Sequence, residues 1–225
     1  VMRGRSFCPS CKEQIRWFDN IPFFSFLFLK GKCRKCNIKI SIQYFIVELI
    51  SALSFLFIFY IYGISITTLL LIILSIFFII IFFIDLKHYI IPNELTFPLM
   101  FIGFVKSFDP NLNQSLFPNY INSLIGGLFG YAIIWLIIFF YKTLRNKEGM
   151  GLGDAKLIAV VGFWFGWFSI PFTIFISSVV ALVYSIPSLM NKSRDLSTQI
   201  PFGPFIIIGS LIYVMFANQI KNLFL

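Results

Sequence analysis

The sequence predicts an all-α, polytopic transmembrane helical bundle of about seven spans, preceded by a small cytoplasmic zinc-binding segment. Three observations predict it. Of the 225 residues, 59% are apolar, 20% aromatic and only 12% charged, roughly half the charged share of a water-soluble domain. From Ser41 to Leu225 the chain is a succession of apolar runs rich in Ile, Leu and Phe, each near the length that carries a helix across about 30 Å of hydrocarbon. The first residues differ in kind: they are polar and basic, and they hold all four cysteines. The domains therefore divide into a cysteine segment, 1–41, and a membrane domain, 42–225.

In chain order, the cysteine segment comes first. It reads Cys8-Pro9-Ser10-Cys11 and then Cys33-Arg34-Lys35-Cys36, with Gly31 just before the second pair. Two C-x-x-C pairs about twenty residues apart fit a tetrahedral four-thiolate zinc site, each pair presenting two sulfurs from one tight turn. Four thiolate ligands leave no open position, so the zinc is expected to be structural. Neighbouring Lys and Arg offset the negative charge of such a centre. The competing reading is a pair of disulfides, which a reducing cytosol disfavours.

The spans follow at about 42–62, 65–84, 92–108, 120–141, 154–169, 171–190 and 202–219. Irregular backbone would leave amides unpaired in lipid, so each span is expected to be a helix. The run at 92–108 opens with Pro92 and that at 154–169 with an aspartate, which makes these two the weakest. Gly126 and Gly130 form a small-xxx-small pair that marks close helix packing.

The net charge of +9 reports topology rather than nucleic acid. Nine basic residues precede Ser41, and Lys87, Lys142, Arg145, Lys147, Lys156, Lys192 and Arg194 fall on the same side if the spans alternate. Only Lys106 and Lys221 fall on the other. By the positive-inside rule the rich side is the cytoplasm. His88 and Lys156 are read as interfacial residues of that side. The polar, basic start shows no cleavable signal peptide.

The carboxylates carry the chemistry. Glu13, Asp19, Glu148, Asp195 and Asp109 sit in polar stretches and are read as solvated, and Glu94 lies near the interface. Glu48, Asp85 and Asp154 lie in or at the ends of apolar runs, where ionisable groups are costly and usually face a cavity or a partner. Asp85 closes the second span and Asp154 opens the fifth, so both are expected at the cytoplasmic membrane edge. Adjacent carboxylates in a low-dielectric site cannot both ionise easily and share a proton. One can then act as general base toward water and the other as acid toward a carbonyl. Gly151 and Gly153 permit close backbone approach, so a substrate strand can lie against the loop before Asp154. Taken singly, each aspartate also reads as a helix cap or interfacial residue.

The string Gly149-Met150-Gly151-Leu152-Gly153-Asp154-Ala155-Lys156-Leu157 resembles the GxGD signature of type IV prepilin peptidases. Asp85-Leu86-Lys87-His88-Tyr89-Ile90-Ile91-Pro92-Asn93 resembles that family's other aspartate motif. The run from Gly4 and Arg5 through Cys8 and Cys11, with Trp17, Asp19, Asn20, Ile21, Pro22 and the second cysteine pair, is similar to its large first loop. Tyr44 and Glu48 match the continuation into the next helix, and Pro201-Phe202-Gly203-Pro204 resembles a segment at the start of the last one.

The resemblance implies a multi-pass enzyme of the bacterial inner membrane that removes the short basic leader from type IV prepilins and type II secretion pseudopilins. Asp85 and Asp154 would make the cut at the cytoplasmic face. It also implies N-methylation of the new terminus from S-adenosylmethionine, for which no residue is assigned; Glu48 reads equally as a methylation residue or a buried packing residue. Relatives of this kind carry a further transmembrane helix before the cysteine loop, so this chain is expected to be truncated or to begin late. Two rival readings use the same aspartates. One is a presenilin-like hydrolase acting on another membrane helix, against which the cysteine segment argues. The other is a carrier, whose ion site is expected near the bilayer midplane rather than its edge.

Overall fold

The computed structural model describes residues 6–21, 24–112, 116–145, 149–190 and 200–224. Arg3, Gly4, Arg5, Pro22, Lys147, Glu148, Lys192, Arg194 and Asp195 of the readings above lie outside the described residues. The helices are α1 (Phe24–Phe28), α2 (Ile42–Tyr62), α3 (Ile66–His88), α4 (Asn93–Val105), α5 (Tyr120–Arg145), α6 (Leu152–Phe165), α7 (Ser169–Met190) and α8 (Gly203–Phe224). The chain divides into two compact units, Val1–Ser75 and Ile76–Leu225.

In the first unit, residues 6–41 are organised as two copies of one turn. In the first copy Cys8 N–H donates to the Glu13 carbonyl, Lys12 N–H to Cys8, and Ile15 N–H to Ser6. In the second, Cys33 N–H donates to Ile38, Asn37 N–H to Cys33, and Ile40 N–H to Gly31. The residue after each second cysteine, Lys12 or Asn37, takes a left-handed φ of 55° or 56°. That repeat brings the cysteine pairs to a common centre. Glu13, exposed as expected, pairs with Lys35 at 2.5 Å, whereas the Asp19 side chain, expected to be solvated, is largely covered and pairs with Arg34 at 2.6 Å. The helix that follows, α2, starts on Ser41, whose hydroxyl accepts the Gln43 N–H at 3.3 Å.

The second unit is built around α6, which packs against α4, α5, α7 and α8. Its Leu157, Ile158, Val160, Val161 and Trp164 are wholly buried. Such an inner helix must be approached closely, and Gly126 of α5 and Gly162 of α6 provide for it. A Cβ on Gly126 would lie 2.6 Å from the Gly162 carbonyl oxygen, and one on Gly162 would overlap the Gly126 carbonyl. Gly130 likewise faces Ile158. Ser123 Oγ donates to the Phe163 carbonyl at 2.7 Å, satisfying a hydroxyl that lipid could not.

All seven expected runs form helices; among the described residues four of them, α2, α3, α5 and the Ser169–Ile186 part of α7, have the length and apolarity to cross a membrane. The expected count of seven crossings is not confirmed by these four. With 13 and 14 residues, α4 and α6 reach only about 20 Å at 1.5 Å per residue. The reason lies at their ends. Pro92 opens α4 and a 3₁₀ turn, Lys106–Phe108, closes it, while Gly166, at φ 84°, stops α6. Lys106 opens that 3₁₀ turn. It is buried, donates from Nζ to the Trp164 carbonyl at 2.9 Å and lies 3.9 Å over the Phe117 ring.

Candidate active site

Two aspartates far apart in sequence are brought together where three helix ends meet. Asp85 lies in the last turn of α3, only 4% exposed, and its Oδ2 accepts the backbone N–H of Gly203 at 3.0 Å. Gly203 is the first residue of α8. Asp154 lies in the first turn of α6, 8% exposed, and its Oδ2 accepts the backbone N–H of Gly151 at 3.2 Å. The N-cap of α6 is Gly151, so Asp154 is three residues into the helix and is not the cap itself. The two carboxylates interact electrostatically.

Ile91, from the connection between α3 and α4, fills the space between the two glycine-lined helix starts. A Cβ on Gly153 would lie 3.0 Å from Ile91 Cβ, and one on Gly203 would lie 3.1 Å from Ile91 Cδ1. Ile91 thus packs against one side of Gly153, which is half-buried, whereas Gly151 is exposed. The two aspartate motifs are also tied directly, since Lys156 Nζ donates to Asn93 Oδ1 at 2.5 Å and lies 5.8 Å over Phe97. Sequence reading gave Lys156 no such role. The signal was the polar residue after Pro92 in one motif and the lysine two positions after the aspartate in the other.

The four cysteines form a separate centre. The Sγ atoms of Cys8, Cys11, Cys33 and Cys36 all lie within 4.8 Å of one another. Cys8 and Cys36 are 3.8 Å apart, which is the edge of a tetrahedron with metal–sulfur bonds of about 2.3 Å. All four are free thiols, so the disulfide reading is not realised. The backbone N–H groups of Cys11 and Ser10 bring the Cys8 thiol down to about 6. Those of Cys36 and Lys35 lower Cys33 in the same way. The first sulfur of each turn is thereby favoured as a thiolate, the form that binds metal.

Beside this centre lies a cavity of about 770 Å³, lined in part by Phe26, Tyr44, Phe45, Asp19, Arg34 and Glu48. Glu48 is exposed, so its reading as a buried packing residue is not realised.

Residues 72–186 match the type IV leader peptidase family, and residues 1–62 match the bacterial peptidase A24 N-terminal domain. The chain belongs to the type IV leader peptidase family. The prepilin leader peptidase/N-methyltransferase of Aeromonas salmonicida (strain A449) is 34% identical over 232 residues, covering 100% of this chain and 76% of the relative. Proteins of the same name from Xanthomonas campestris pv. campestris and Neisseria gonorrhoeae are 38% and 37% identical, covering 95% and 94% of this chain and 73% and 71% of their own lengths. No solved structure matches. The leader peptidase match contains Asp85 and Asp154, and the N-terminal match contains all four cysteines. Gly203 lies beyond both.

Proposed function

We propose that Asp85 and Asp154 are the catalytic dyad with which this chain removes the leader from prepilins and type II secretion pseudopilins. The chain is a membrane-bound prepilin peptidase with N-methyltransferase activity. The observation that carries the dyad is its geometry: two buried carboxylates at one place, each held through one oxygen by a glycine N–H at a helix start. Each keeps its second oxygen for the reaction.

In such a site one carboxylate is ionised and the other protonated, because two adjacent negative charges in a low dielectric repel strongly. The ionised member takes a proton from water as the water oxygen attacks the scissile carbonyl carbon. The protonated member gives its proton to the carbonyl oxygen, forming a gem-diol. Collapse breaks the C–N bond: the proton taken from water passes to the departing amine, and one gem-diol hydroxyl returns its proton to the other carboxylate as the new carboxyl group forms. The residue after the cut thus leaves with a free α-amine, the group that is then methylated. Gly151, exposed beside Asp154, and Gly153, half-buried against Ile91, are the positions against which a substrate backbone lies.

The positive-inside pattern supports a cytoplasmic site in the bacterial inner membrane, with the cysteine segment on the same side. Division at 1–41 and 42–225 separates a metal-stapled segment from the membrane domain. Zinc suits four thiolates at tetrahedral spacing and would act there structurally. S-adenosylmethionine suits the cavity beside it. Its volume lies in the range of cofactor sites, its aromatic walls (Phe26, Tyr44, Phe45) can face an adenine, and its carboxylates can meet ribose hydroxyls or a sulfonium. Bound there, it would supply an electrophilic methyl group. A carrier reading finds less support, since both aspartates lie at helix ends rather than mid-helix.

The test is mass-spectrometric leader removal from a prepilin in membranes. Asp85→Asn and Asp154→Asn, inserted normally, should each slow cleavage by at least about a thousandfold. Normal cleavage by either variant would remove that residue from the dyad.

A further inference from the structure

We propose that Gly203, at the start of α8, is a positioning residue for leader cleavage: its backbone N–H fixes the orientation of Asp85, and its lack of a side chain makes room for that carboxylate. The inference rests on the reading of Asp85 and Asp154 as the dyad.

Four observations carry it. The Gly203 N–H reaches Asp85 Oδ2 at 3.0 Å across 118 positions of sequence, and the bond is buried. A Cβ on Gly203 would stand 2.7 Å from that same oxygen, closer than real Cβ atoms come, and 3.2 Å from the Asp85 Cγ, so the carboxylate would have to shift. The Cβ would also meet Ile91 Cδ1 at 3.1 Å, a tight contact that adds to the crowding. As the first residue of α8, Gly203 also has no intrahelical acceptor for its N–H, which is therefore available to a side chain.

The consequence is a division of labour between the two oxygens of Asp85. One is occupied by an amide donor on a helix of 22 residues, so the carboxylate cannot rotate freely about its Cβ–Cγ bond. The other is thereby held in one direction. Asp154 is treated the same way by Gly151, so each carboxylate of the dyad is anchored by a glycine from a helix start. The difference is that Gly151 belongs to the same turn as its aspartate, whereas Gly203 comes from another helix. α8 is thus a third wall of the site, and the Pro201-Phe202-Gly203-Pro204 string gains a role in the chemistry. Catalysis is sensitive to displacements of this size, because reacting groups must be held close to their productive geometry.

The experiment compares Gly203→Ala with Gly209→Ala in the full chain in membranes. Gly209 lies six residues along α8, and a Cβ there would press on Thr173 and Ser177 of α7, disturbing helix packing without touching Asp85. The expected result is a fall in kcat of at least tenfold for Gly203→Ala, with KM changed less than twofold, and no comparable fall for Gly209→Ala at equal or greater loss of thermal stability. If Gly203→Ala fails to insert, Gly203→Ala with Ile91→Val relieves the aliphatic contact and leaves only the carboxylate displaced; the same kcat loss is expected. Unchanged kcat in the folded variant overturns the inference, as do equal losses in the two alanine variants that track their thermal stabilities. Asp85→Asn, run alongside, separates the two claims. If it still cleaves, the dyad reading itself has failed. If it is inactive while Gly203→Ala is normal, only the role of Gly203 falls.

Discussion

The cysteine segment and the aspartate end of the helical unit solve opposite problems. In the first, the reactive side chains build the fold. Residues 6–41 leave Phe7, Trp17, Phe24 and Phe28 exposed and bury few apolar groups beyond Cys8, so a cluster of sulfurs in a doubled turn takes the place of a core. In the second, the fold builds the reactive group. Asp85 and Asp154 contribute nothing favourable to burial, and they are held together only because α6 is encased by four other helices and the ends of α3 and α8 converge on its start. Where ligands make the structure, losing one should unravel it locally. Where structure makes the site, the site should be lost long before the fold.

The largest effect that sharpens this contrast is removal of the metal. Chelation, or Cys33→Ser, should strip protease protection from residues 6–41, since structural zinc contributes on the order of 10 kcal/mol to folding. Limited proteolysis read by mass spectrometry checks this. Leader cleavage should keep most of its rate, because the dyad draws on other elements, and loss of both together would break the comparison. Next comes Gly162→Ala, whose Cβ would overlap the Gly126 carbonyl. Overpacking of this kind costs about 1–3 kcal/mol, so thermal unfolding of the purified protein should come at a lower temperature. The smallest effect is expected from Lys156→Met, which keeps the apolar stem but loses the donor to Asn93 Oδ1. A lost hydrogen bond of this sort is worth about 1 kcal/mol, enough for a severalfold slower initial rate. Asn93→Asp, which preserves an acceptor, should stay close to the unaltered enzyme.

Much of the site was legible because its residues stand out chemically. Cys8, Cys11, Cys33 and Cys36 declare themselves by spacing, and Asp85 and Asp154 by being ionisable at the ends of apolar runs. What the sequence conceals are contacts made by the backbone or by absent side chains. The Gly203 N–H carries no mark of its partner, and the hydrogen bonds that close each of the two expected cysteine turns are not written in residue identity. The partners of Lys106 are hidden for a related reason: the open carbonyl at the end of α6 and the Phe117 ring give it a buried place. Local stops were the least legible feature of the spans: Pro92 and Gly166 hold α4 and α6 to 13 and 14 residues, shorter than composition suggested.

The central claim is that Asp85 and Asp154 act as one unit, and the most direct test is a mutant cycle. Single-turnover cleavage of a prepilin by Asp85→Asn, Asp154→Asn and the double variant would be followed by mass spectrometry at saturating enzyme. If the carboxylates share one reaction, each single variant should be as slow as the double, because removing either member disables the other. A double variant slower than both, by the product of the two single losses, would show two independent contributions and contradict the dyad.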